Sequence, residues 1–445
     1  MSIFKSLTRD QKEAVGLLQI GTFLEYFDLM LYVHMAVLLN ELFFPKTDPH
    51  TAALLTAFAF CSTYVLRPFG ALIFGYIGDH IGRKTTVIIT TMMMAVSCTL
   101  IASLPTYAQI GITATWLITA CRIIQGLSSM GEVMGAEVYV TEITSPPIQY
   151  PAVACIPIAS KIGATFALGV ASLVTHFGFN WRIAFWIGAG IAVIGSVART
   201  RLRETPVFLK QIQKIHTEYM AGNRDNESKI SNAIWTQKLI NKEKMAKKSF
   251  WAYIVAVFGG PLTFYLVFMY FTGPLKINYG YTPEDIIFHN FLLSIISLIT
   301  LILLGILSYT VNPMKILKVK GVVNLAVALF LPFLIMLAKT PIHIFLVQTL
   351  LIISGLSVIP ASPIFFKYIP ILKRLTTASF VYALSRAVIY IITSFGLVYL
   401  TEKFGYYGLW LITLPVNIGF LWGTNYFAKL EKMMSEDKST SVLAA

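Results

Sequence analysis

The sequence of 445 residues predicts an all-α membrane protein: twelve transmembrane helices in two pseudo-symmetric six-helix bundles. Three observations predict it. Hydrophobic residues make up 56% of the chain and charged residues only 13%, against about a quarter charged in a soluble domain. Twelve apolar runs approach the roughly 20 residues that a helix needs to cross about 30 Å of hydrocarbon. The basic residues between the runs fall almost entirely on alternate loops. The excess apolar surface must face lipid, which excludes a water-soluble enzyme, a disordered chain and a fibrous one.

In the first half the runs are 14–39, 52–77, 85–104, 111–139, 152–175 and 183–198. In the second they are 250–271, 286–309, 322–338, 342–366, 376–400 and 405–427, the sixth and ninth being short. The first is preceded by Lys5, Arg9 and Lys12. It is too long for the core of a signal peptide and no small-residue cleavage site follows it. Between the halves, residues 199–249 hold 12 Lys/Arg and 5 Asp/Glu, half of the net +14 of the whole chain. Basic loops beside spans lie in the cytoplasm, so this surplus reads as topology rather than as a nucleic-acid surface. With both termini cytoplasmic, 26 Lys/Arg fall on that side and 5 on the other. A miscounted helix would invert every later loop. The expected organisation is therefore a bundle over 1–198, a basic linker over 199–249, a bundle over 250–427 and a short tail over 428–445. In the linker, Val207, Phe208, Ile212 and Ile215 share a helical face, as in a short helix lying on the membrane.

The remaining bases, Arg67, Arg122, Lys161 and Arg386, lie inside runs. Each costs about 2.5–3.5 kcal/mol to insert at mid-membrane, so they mark where function should be sought. In the first run Gly21, Glu25, Asp28 and Tyr32 share one face. Two carboxylates together in oil cannot both stay ionised cheaply, which suits them to gaining and losing a proton. The alternative is a structural pair with Arg67 or Arg122. In the fourth run Arg122, Gln125, Ser129 and Glu132 form a polar stripe. Arg122 there is either a switchable partner for the acids of the first helix or half of a fixed ion pair. Between the second and third runs, Gly75-Tyr-Ile-Gly78-Asp79-His80-Ile-Gly82-Arg83-Lys84 reads as a cytoplasmic latch, with Asp79 able to accept backbone N–H bonds. Lys161 and Arg386 sit at matching depths in corresponding fifth helices of the two halves, where two cations could clamp a carboxylate. Snorkelling, or pairing with Glu132 or another acid of the fourth helix, is the other reading. Tyr32, Gln125 and Tyr382, on the faces of these ions, are further candidate substrate contacts.

Cys61, Cys98, Cys121 and Cys155 all lie in apolar runs with no C-x-x-C pair, as packing residues do. The seven histidines are scattered. No metal cluster, phosphate loop or Gly-x-Ser-x-Gly is present in the sequence, so no cofactor and no catalysis are expected.

Together these segments resemble the major facilitator superfamily. The closest branch is its metabolite:H+ symporters, which include proline/betaine, α-ketoglutarate, citrate and shikimate carriers. The marks are Gly75 through Lys84, then Arg122, Gln125 and Gly126, then Gly21…Glu25-Tyr-Phe-Asp28…Tyr32 and Arg67-Pro68-x-Gly70. They continue with Gly131-Glu132-x-x-Gly135-Ala136…Tyr139-x-x-Glu142 and with Asn180-Trp181-Arg182…Arg203-Glu204-Thr205-Pro206-x-Phe208. The second half has drifted: loop 8–9, Gly305 to Pro313, lacks the Asp and the Arg/Lys of its counterpart. Lys367 stands where Glu is expected, and Ala383 replaces an Asn beside Arg386. His80, Gln149 and Tyr150 depart from the pattern too. The proline-glycine signature of drug/proton antiporters around Pro157–Gly169 is not evident, which favours symport.

The resemblance implies a multi-pass protein of the bacterial inner membrane, working as a monomer by alternating access on the proton gradient. Its cargo would be a small carboxylate-bearing solute, an organic acid or a zwitterion such as proline or betaine. Glu25, Asp28 and Arg122 would handle protons, and Lys161 and Arg386 the substrate. Asp79, Arg83, Lys84 and Glu142 would close the cytoplasmic side. A transport-inactive nutrient sensor, or a uniporter or exchanger, is the alternative.

Overall fold

The computed structural model describes residues 6–44, 64–177, 180–199, 213 and 245–443. Among them every regular element is helical. The first bundle comprises α1 (Arg9–Phe43), α2 (Arg67–His80), α3 (Arg83–Ser103), α4 (Ile112–Ile143), α5 (Gln149–Phe177) and α6 (Arg182–Arg199). The second comprises α7 (Lys247–Tyr279), α8 (Pro283–Thr310), α9 (Pro313–Leu337), α10 (Pro341–Ser354), α11 (374–404) and α12 (Trp410–Leu443). Seven described stretches are long and apolar enough by themselves to cross a bilayer. Among the rest, α4 is marked down by Arg122, Glu132, Glu137 and Glu142, α10 by a break, and α2 is described only from Arg67. The linker helix expected around Val207 to Ile215 lies outside the described residues, apart from Gln213.

Three boundaries differ from the apolar runs. Helix α9 begins at Pro313, nine residues before the run at 322: Asn312 Oδ1 accepts from Met314 N (2.9 Å) and Pro313 occupies the first turn. Lys320, which loop counting assigns to the basic side, therefore lies inside a helix. The run 342–366 is not one helix. It stops at Ser354 and resumes only over Ser362–Lys367: Gly355 turns extended, with ψ 138°, and Leu356 N leaves the helix ladder to donate to Thr263 Oγ1 (3.2 Å). Finally, the residues expected as a tail continue α12 to Leu443.

Helix pairs approach closely through glycine. A Cβ on Gly163 of α5 would overlap the Phe23 carbonyl of α1, and one on Gly70 of α2 would overlap the Leu127 carbonyl of α4. Gly190 of α6 has nothing within 4 Å of that position. Gly163→Leu is therefore expected to cost about 3 kcal/mol or more, seen as a lower unfolding midpoint, while Gly190→Leu leaves the midpoint unchanged. Equal midpoints for both variants would contradict this packing.

The bundles are joined unequally. Call the end bearing the 2–3, 4–5, 8–9 and 10–11 turns the basic end. An apolar cluster that includes Leu18, Ile156, Tyr253, Phe365 and Phe427 crosses between the bundles. Two further large clusters belong to one bundle each, around Leu31 and Phe185 in the first and Phe271 and Leu331 in the second, with Phe264 touching both; the small contact of Ala71 with Ala383 again joins the bundles. Helix α5 runs along α8, and α2 along α11.

Candidate functional site

A cavity of about 260 Å³ lies between the bundles, just under the roughly 300–1,000 Å³ usual for small-molecule pockets. Helices α1, α2, α4 and α5 of the first bundle and α7 to α11 of the second contribute lining residues. Its Lys, Arg and Glu lining residues are Arg67, Glu137, Lys161, Lys320 and Arg386. At 1.5 Å per residue, Arg67, Lys161 and Arg386 stand roughly 18–20 Å from the basic ends of α2, α5 and α11. Glu137 and Lys320 stand about 9–11 Å from the basic ends of α4 and α9.

The upper three cations rest on aromatic faces. Arg67 Cζ is 4.2 Å from the Tyr64 ring centre, and Arg386 Cζ is 3.3 Å from that of Tyr382. Lys161 Nζ is 4.9 Å from the Phe268 ring centre, across the bundle boundary. Such contacts compensate a desolvated cation only partly, by roughly 2 kcal/mol. Arg67 is 1% exposed, and its Nε and Nη2 have no hydrogen-bond partner among the described residues. Among the described residues Arg386 Nη1 donates to the Tyr382 carbonyl of its own helix (3.3 Å). Glu137 is buried on α4, with Ser362 and Arg386 close enough to act on it. Two further contacts cross the boundary: the Tyr26 and Tyr382 hydroxyls bond at 2.9 Å, and Tyr64 packs edge-on to Tyr390 with ring centres 4.4 Å apart.

Helix α7 forms one cavity wall through a π-helical turn, Leu266–Tyr270. Widening the turn changes which carbonyls the helix itself can satisfy. Gln348 Nε2 of α10 donates to the Val267 carbonyl (2.7 Å) and Asn290 Nδ2 of α8 to that of Phe268 (3.4 Å). His289 Nε2 in turn bonds Gln348 Oε1 (2.7 Å). The ring that Lys161 faces is thus set in place by buried polar groups behind it.

At the basic end the bundles are hydrogen-bonded together. Asp79, 1% exposed at the end of α2, accepts from Leu375 N (3.2 Å), Thr376 N (2.8 Å) and Thr376 Oγ1 (2.6 Å). It acts as an N-terminal cap supplied from the opposite bundle, where free N–H groups and the helix dipole favour a carboxylate. Gly75 makes this possible, since a Cβ there would lie 2.6 Å from Thr376 Cα. Beside it Arg374 Nη1 meets Glu142 Oε1 at 3.2 Å, with the Glu142 side chain fully buried.

A sequence profile described as the Major Facilitator Superfamily matches residues 18–397. The chain belongs to that superfamily. The proton:xylose symporter XylE, in its complex with 6-bromo-6-deoxy-D-glucose, superimposes with a TM-score of 0.74 at 14% identity, covering 94% of this chain and 95% of that one. That likeness shows the superfamily fold. A proline/betaine transporter of Salmonella typhimurium is 28% identical over 280 residues, 61% of this chain and 54% of the relative. The Escherichia coli inner membrane metabolite transport protein YhjE is 36% identical over 200 residues, 43% of this chain and 45% of the relative. The chain spans about half the length of these curated relatives.

Within this superfamily member the residues singled out from the sequence divide into three groups. Lys161, Arg386 and Tyr382 come together in the cavity. Glu25, Arg122 and Gln125 are buried but do not line it. Arg122 Nη1 donates to Gln125 Oε1 (2.9 Å), and Gln125 Nε2 to Cys98 Sγ (3.4 Å). Gln125, expected as a substrate contact, instead ties α4 to α3, because its side of α4 turns away from the opposite bundle. Asp79 and Glu142 meet the second bundle at the basic end, and Lys84 is partly buried in the first turn of α3. The side chains of Asp28, Tyr32, Arg83, Ser129 and Glu132 lie outside the description.

Sequence reasoning missed Tyr26, Glu137 and Lys320 as cavity residues, and gave Arg67 only the alternative role of partner to the acids of the first helix. Glu137 carried a legible signal, an acid one turn beyond Val133 on the same face. Lys320 was hidden by the late start of the apolar run in α9.

Proposed function

We propose that the chain is a secondary active transporter that carries a small carboxylate-bearing solute across the bacterial inner membrane by alternating access, in symport with protons. The observation that carries this reading is the layer of Arg67, Lys161 and Arg386. These three cations face one inter-bundle cavity and have no carboxylate ion pair among the described residues. Keeping such charges out of water is costly unless a ligand meets them. The capped contact of Asp79 with α11 supplies the hydrogen-bonded part of a closure at the basic end. The positive-inside rule places the basic end, both termini and the 199–249 linker in the cytoplasm. Proline, betaine and ectoine appear in the names of several relatives, and all three solutes carry a carboxylate.

The test is uptake by the purified full chain in vesicles under an imposed pH gradient, alongside solute exchange without one. Flux, rather than binding alone, separates a carrier from a receptor of the same fold. Asp28→Asn is expected to abolish pH-driven uptake while leaving exchange. Unchanged pH-driven uptake in that variant removes Asp28 from proton handling.

A further inference from the structure

Lys320 is a lysine buried inside a helix rather than in a loop. Lys315 on the same helix is exposed at the basic end, while Lys320, one turn and a half further in, is 9% exposed. It lines the inter-bundle cavity beside Gly355 and Ser357, where α10 is broken. It makes no hydrogen bond or ion pair among the described residues. Its helix is fixed against that break, because Asn324 Nδ2, one turn along, donates to Ser354 Oγ (3.0 Å). A lysine held in this way presents its ammonium to whatever enters the cavity.

The charge balance of the cavity points to what that is. Among the described lining residues there are four cations and one carboxylate, Glu137. Among the described residues the lining therefore carries an excess of three positive charges. A zwitterion brings no net charge, and its ammonium would add to the repulsion. A dianion offers one carboxylate to the upper layer and a second to Lys320. The α-carbons of Lys161 and Lys320 differ in depth by about 8 Å. A four- or five-carbon dicarboxylate, whose two carboxylates stand several bonds apart, is the dianion class suited to two cations offset in this way.

We propose that Lys320 is a second anion-binding point of the cavity and that it makes the protein select doubly charged dicarboxylates over zwitterions. This rests on the carrier reading above and narrows its substrate class. The full chain is titrated at pH 7.5 with succinate, 2-oxoglutarate, lactate and glycine betaine, reading thermal stabilisation and counterflow in vesicles. Expected are an apparent Kd at least tenfold lower for a dianion than for lactate and no response to betaine. Lys320→Gln should raise the dianion Kd at least tenfold without changing that of lactate, and Lys320→Arg should retain dianion binding. Betaine binding more tightly than either dianion would overturn the proposal and leave the carboxylate carrier standing. So would an equal loss for lactate and dianion in Lys320→Gln. No response to any of the four solutes would overturn the carboxylate reading itself. The wild-type ranking needs no variant, so it stands even where Lys320→Gln fails to fold.

Discussion

Asp79→Ala will open the basic end of the molecule. Asp79 accepts three hydrogen bonds from the first turn of α11, two from backbone N–H groups and one from a hydroxyl. Bonds to a charged acceptor contribute about 1.5–3 kcal/mol each where they form, and a lost N-cap costs about 0.5–2 kcal/mol. Water replaces part of this once the end opens, so a net shift of about 3 kcal/mol is expected, roughly a hundredfold in the ratio of closed to open. Ala378, fully buried one turn into α11, gives the readout. As Ala378→Cys it should resist a polar alkylating reagent in the parent and react at least tenfold faster when Asp79→Ala is added. Equal rates would show that the cap does not hold the bundles together. Asp79→Asn should fall between the two, because its amide oxygen can still accept but carries no charge for the helix dipole.

Arg67→Met will stabilise the folded protein and remove its solute binding. Arg67 is 1% exposed, with two guanidinium nitrogens unpartnered among the described residues and one aromatic face beneath it. A charge in that position costs more in desolvation than Tyr64 returns. Replacing buried charges by apolar side chains of similar volume is often worth about 1–4 kcal/mol. The unfolding midpoint of the variant should therefore rise. Solute at a hundred times its Kd stabilises a protein by about 2.7 kcal/mol, and that increment should vanish from the variant. A lower midpoint with the solute response intact would mean that Arg67 is a packing residue. The opposite signs of the two effects identify a group kept for function at the expense of stability.

Much of the architecture is legible without coordinates, for local reasons. Asp79 could be assigned to a latch because glycines spaced about a turn apart beside an acid and two bases permit little else at a span end. Lys161 and Arg386 could be paired because the half-to-half repeat places them at equal depth. The limits of that reasoning are equally local. Hydropathy marks where side chains are apolar, not where the backbone begins to coil. The Asn312–Pro313 cap starts α9 well before its apolar run, and Lys320 passed for a loop residue. The same blindness made one helix of α10, whose residues stay apolar through the break that follows Ser354. Gln125 failed for a different reason. Its stripe is polar, but a stripe does not say which neighbour it faces, and here it faces α3.

Composition and the alternation of loop charge determined by themselves that this chain spans a membrane, how many times, and which turns share an end. They could do so because transfer of side chains and backbone into oil is decided segment by segment, with each helix satisfying its own hydrogen bonds. Only the tertiary structure decided which buried ions meet. Arg67, Lys161, Lys320 and Arg386 come from four helices in two bundles, and each shares a cavity with the others only because the helices are rotated and pressed together to within a glycine's width.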